Sequence, residues 1–156
     1  GLTLAGRPPL TYVDSVVAHF PSPIRDSSQV ADAVEVYRRV LAASPARSVT
    51  IASVGLQVNL ELLLRSGPDE HSNLTGRELF AEKVVLLASM AGKYPQSRGS
   101  PECNACGCYN DADAASKATA AAAASYVVAN TPPSVRALFL GFEDGDVVHT
   151  GEVMET

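Results

Sequence analysis

Tryptophan is absent from this 156-residue chain, methionine occurs twice and cysteine three times. The three thiols, Cys103, Cys106 and Cys108, are odd in number and crowd into one short run. That excludes the evenly spaced disulfide framework of a small secreted domain. Long apolar runs are also missing, so no segment approaches the about 20 residues needed to cross a bilayer. The first residues, GLTLAGRPPLTYVDS, lack the basic region and apolar block of a signal peptide. Positive charge is scarce: 12 Lys and Arg against 17 Asp and Glu leave a net charge of -5. Neither a nucleic acid nor an anionic membrane is an electrostatically favoured partner. The adjacent Arg38 and Arg39 read as a solvated helix face. Together these absences favour a cytoplasmic setting.

What is present has the length and apolar content of one domain with a single core. Residues 30–43, VADAVEVYRRVLAA, repeat apolar positions at helical spacing, with Ser27 and Ser28 as candidate caps and Pro45 just beyond. Residues 48–55, SVTIASVG, are short, β-branched and apolar, as a buried strand requires. LQVNLELLLRS returns to a helical pattern, GPDEHSN is a loop, and LTGRELFAE predicts a short helix. KVVLLASM (83–90) predicts a second buried strand. A long polar loop, AGKYPQSRGSPECNACGCYN, follows it; loops of that length inside a domain are functional or disordered. The alanine-rich run from Asp111 to Asn130 is a strong helix former. SVRALFLGF (134–142) predicts a third buried strand, and EDGDVVHTGE predicts a turn followed by a hairpin.

Alternating helices and strands define an α/β class, a mostly parallel sheet flanked by helices. In such sheets ligands collect in the crevice beyond the carboxyl ends of the strands. Three loops emerge there and carry Asn59, Met90, Glu102, Asn104 and Glu143.

Among chemical candidates, Cys-x-x-Cys-x-Cys supplies three thiolates, one short of a closed tetrahedral zinc site, and His71 and His149 are distant. The cysteines therefore read as loop thiols rather than ligands. Gly-x-Ser-x-Gly, Gly-x-Gly-x-x-Gly and a phosphate loop ending in Lys-Ser/Thr are all absent, which excludes the common hydrolase elbow and nucleotide cradles. Glu102 and Asn104 differ from these in kind: a carboxylate acceptor beside an amide that donates and accepts suits the vicinal hydroxyls of a sugar.

The runs DAVEVYRRVLAASPARSVTIASVGLQVNLELLLRS, GRELFAEKVVLLASMAGKYP, ECN and SYVVANTPPSVRALFLGFEDG resemble, in that order, the inosine-uridine-preferring nucleoside hydrolase family in its eukaryotic and fungal-like branch. The resemblance covers about residues 30–145. It implies an α/β fold around a mostly parallel sheet and hydrolysis of the N-glycosidic bond of ribonucleosides with the help of Ca²⁺. VGLQVN resembles a Gly-Pro-Leu-Thr-Asn turn, with Leu56, Gln57 and Val58 as departures; the resemblance implies that the Val58 carbonyl binds Ca²⁺ and that Asn59 faces substrate. SMAGKYP resembles a Met-Gly-Gly or Met-Ala-Gly turn whose methionine, here Met90, lies against ribose. Glu102 and Asn104 resemble a Glu-aromatic-Asn element that binds ribose hydroxyls, with Cys103 in place of the aromatic. Glu143 matches a glutamate of that branch without an assigned role. The family's opening Asp-x-Asp-x-x-x-Asp-Asp cluster, with its general base, has no counterpart; Asp14 stands alone. Its C-terminal part has none either.

The expectation is thus a partial nucleoside hydrolase-like domain over 1–156, lacking the catalytic aspartates and inactive by itself. Its partner is a nucleoside or ribose, and the resemblance further implies homo-oligomers. The alternative is a non-catalytic α/β module that binds a ribose, a nucleoside or a protein.

Overall fold

A computed structural model describes residues 11–92, 102–106 and 114–147. Helix α1 (Thr11–His19) leads through a 3-10 turn (Ser27–Gln29) to α2 (Ala33–Ala43), β1 (Val49–Ser53), α3 (Val58–Arg65), α4 (Gly76–Lys83) and β2 (Val84–Met90). A one-turn helix α5 (Cys103–Cys106), the long α6 (Ala114–Asn130), β3 (Arg136–Leu140) and α7 (Phe142–Val147) complete the order. Among the described residues the sheet has three strands in the order β1-β2-β3, parallel throughout. The α/β expectation therefore holds. No helix among the described residues is long and apolar enough to cross a membrane.

Capping chemistry sets where the helices begin. Asp32, not Ser27 or Ser28, caps α2: its carboxylate accepts the Val34 amide at 2.8 Å and the Glu35 amide at 3.3 Å. The two serines instead belong to the separate 3-10 turn, capped by Asp26. Thr75 and Glu78 form a reciprocal capping box at the start of α4. Gly76, the first residue of that helix, donates to the Ser66 carbonyl at 2.8 Å. A Cβ there would run into the Leu63 carbonyl, so only glycine permits α3 and α4 to meet this closely.

Register divides the sheet into two unlike faces. Ile51, Leu87 and Ala137 stand side by side, as do Ser53, Ser89 and Phe139. Side chains alternate along a strand, so both rows point to one face. Ile51 and Leu87 join Leu41, Leu60, Leu63, Leu79, Phe80 and Val127 in the buried core, which places the helices over that face. The opposite face carries Thr50, Leu86 and Arg136, then Ala52, Ala88 and Leu138. There Thr50, Ala52, Arg136 and Leu138 are exposed.

Three expectations need correction. β3 is not buried: every residue from Arg136 to Leu140 is exposed, because it lies at the end of the described sheet and half its side chains point to the open face. The segment after it begins a helix, α7, instead of a turn and hairpin; residues 148–152 of that expectation lie outside the described residues. Arg38 is not on a solvated face but 2% exposed. Its Nε lies 2.7 Å from Asp69 Oδ2, and its other nitrogens donate to Ser66 Oγ, Asp69 Oδ1 and the Ser72 and Leu74 carbonyls. One guanidinium thus ties α2 to the loop between α3 and α4. A planar fork with five donors suits that task.

Candidate functional site

The carboxyl ends of β2 and β3 are joined around Gly92. Its φ of 87° is a left-handed conformation that side chains disfavour. The Gly92 carbonyl accepts the Phe142 amide at 3.0 Å, and the neighbouring Ala91 amide donates to the Leu140 carbonyl at 2.9 Å, so the turn after β2 is fastened to the one after β3. The Gly92 amide donates to Glu102 Oε2 at 2.8 Å, which fastens it to α5 as well.

Glu102 is buried, 6% exposed, and serves as the N-cap of α5. Oε2 also accepts the Ala105 amide at 3.0 Å, and Oε1 accepts the Asn104 amide. Three backbone donors from two turns therefore converge on one carboxylate. Asn104 turns its Nδ2 toward β2, donating to the Met90 carbonyl at 2.9 Å and lying 3.2 Å from Met90 Sδ. Met90, Glu102 and Asn104, singled out in the sequence, come together at one rim of the sheet.

Val58 and Asn59 of the first turn make no hydrogen bond to this cluster. Val58 opens α3, and helical geometry directs its carbonyl along the axis toward the amide four residues on. Asn59 is exposed on the same helix, and nothing ties it to Glu102 or Asn104. Glu143 is half-buried in α7 and folds its carboxylate back over Gly141. Among the described residues no group of three His, Cys, Asp or Glu side chains could hold a metal ion. Cys108 lies outside the described residues, as do His149 and the side chains of Cys106 and Asp14.

Sequence reasoning passed over Gln57, treating it as a loosened motif position. It is 3% exposed, and its Nε2 donates to Ser53 Oγ at 3.1 Å and to the Gly55 carbonyl at 3.4 Å. Its Oε1 has no donor, and neither has the Oγ of the buried Ser89 a partner. Gln57 also lines a cavity of about 180 Å³ with Ala91, Gly92, Ala105, Val127 and Phe139. A glutamine at the start of an amphipathic helix, in place of an apolar residue, was the available signal.

Comparison of the chain with protein-family models, with curated proteins and with solved structures returns no match. The functional reading therefore rests on the geometry of the site and on the resemblance of its motifs.

Proposed function

We propose that the rim formed by Met90, Glu102 and Asn104 holds the ribose of a ribonucleoside, as part of a site for N-glycosidic bond hydrolysis. The observation that carries this reading is the closure of two separate motif turns onto each other: Asn104 Nδ2 on the Met90 carbonyl, and Glu102 on the Gly92 amide. A carboxylate and an amide held at fixed positions recognise neighbouring hydroxyls at a low entropic cost, because the binding groups are already ordered. Met90 supplies a polarisable apolar surface for the sugar ring.

Ca²⁺, implied by the resemblance, finds a poor fit among the described residues. The hard cation takes six to eight oxygen ligands, with carboxylates prominent among them, whereas here one helical carbonyl, that of Val58, is offered. Activation of water by these residues alone lacks a base, so the chain is expected to bind and not to hydrolyse.

The test is calorimetry of residues 1–156 with ribose and inosine, with and without Ca²⁺, beside an assay for released base. Binding of ribose and inosine, lost in Asn104→Leu, with no base released, is the expected result. Absence of binding would refute the ribose rim, and release of base would refute the lack of catalysis.

A further inference from the structure

We infer that the cavity behind Gly92 is a second binding site, one that takes a neutral single-ring aromatic molecule bearing one hydrogen-bond donor. This site lies on the helix-covered face, since Phe139 shares its row with Ser53 and Ser89, whereas Met90 belongs to a row on the opposite face. It adjoins the proposed ribose site, sharing Gly92 and Ala105 with the turns that hold Glu102, but its test does not depend on ribose binding.

The lining decides the ligand class. Ala91, Ala105, Ala124, Val127 and Phe139 give apolar walls, and Gln57 contributes the single polar side chain. Its amide orientation is fixed by its partners: the Gly55 carbonyl can only accept, so the nitrogen must face it and the oxygen is the atom left without a donor. A buried acceptor with no donor is a recognition element in search of one. An ordered water makes two to four polar contacts, and of the lining side chains Gln57 alone offers one. The volume of about 180 Å³ suits a ring with one small substituent; an apolar cavity of about 150 Å³ accepts benzene. A nucleobase, with several donors and acceptors, would leave most of them unmatched against alanine and valine.

Phenol and toluene share a shape and differ by the donor, so they form the test. Each is titrated into the full chain and followed by NMR of the Ala105, Ala124 and Val127 methyl groups. Phenol should shift those methyls and bind about tenfold tighter than toluene, the scale of one hydrogen bond gained in an apolar site. Uracil should not shift them. Gln57→Leu should remove the preference for phenol, and Ala124→Leu, which fills the cavity, should abolish binding of both while the circular dichroism stays unchanged. Equal binding of phenol and toluene to the unaltered chain, binding of neither, tighter binding of uracil, or undiminished phenol binding in Ala124→Leu would each overturn the inference. The wild-type comparison decides the matter even if Gln57→Leu fails to fold.

Discussion

The Gly92 amide donates to the Glu102 carboxylate at 2.8 Å across a gap of ten residues in the chain. That bond and the two amides of α5 make Glu102 a fastener before it is a ligand. Glu102→Ala strips three backbone donors of their acceptor. It should lower unfolding free energy by about 2–4 kcal/mol, given about 1–3 kcal/mol for each unpaired buried group and incomplete additivity. Urea denaturation measures it; an unchanged midpoint would show that the carboxylate holds nothing. Ribose affinity should fall with it.

Gly92 itself should resist substitution. Its φ of 87° is strained for any residue with a Cβ, so Gly92→Ala should cost about 1–2 kcal/mol. Gly55 offers the control: a Cβ there meets nothing within 4 Å. Gly55→Ala should lie within about 0.5 kcal/mol of the original. Thermal melts of the two variants would separate a conformational requirement from a general intolerance of alanine.

The Arg38 knot carries a pH signature. Hydrogen bonding to the Arg38 guanidinium lowers the Asp69 pKa from 3.8 to about 2. A carboxyl whose pKa is depressed by folding contributes stability that is present above its unfolded value and is lost as the pH falls. Asp69 should therefore cost the protein stability between roughly pH 4 and pH 2. In Asp69→Asn that segment of the stability-pH curve should flatten, whereas an identical slope would detach Asp69 from acid unfolding. Arg38→Met removes the Leu74 carbonyl's guanidinium donor and leaves the Ser72 carbonyl and the Asp69 carboxylate with backbone amides only, and should destabilise by about 2–4 kcal/mol at neutral pH.

The two faces of the sheet predict opposite sensitivities. Leu87, 1% exposed, sits in the core, and Leu87→Ala should cost about 2–5 kcal/mol. Leu138, 43% exposed on the open face, should tolerate threonine within about 0.5 kcal/mol. Chemical denaturation of both variants checks this, and comparable losses would mean that the open face is covered in solution.

Much of this arrangement was legible because its causes are local. The β-branched runs that became β1 and β2, the helical spacing of α2 and α3, and the Thr75–Glu78 capping box all follow from interactions within a few residues. The meeting of Met90, Glu102 and Asn104 was foreseeable from topology, since turns at one end of a parallel sheet share an edge. Other features were hidden. Arg38 looks like any surface arginine until the loop carrying Asp69 folds over it, thirty-one residues away in the chain. Leu138 and Phe139 look like core residues, yet burial depends on what lies opposite, and a strand cannot specify its own cover.

By itself the sequence determined the alternation of helices and strands, the direction of the strands and the rim on which the polar turns gather. Periodicity and short connections act at close range and leave few alternatives. Tertiary structure alone decided that a carboxylate suited to sugar hydroxyls also accepts three backbone amides. It decided too that a glutamine is sealed in with its oxygen unpaired, and that one face of the sheet stays open. Each of these is a question of which groups meet across long stretches of chain, and the free energy of such meetings is settled only when the whole core closes.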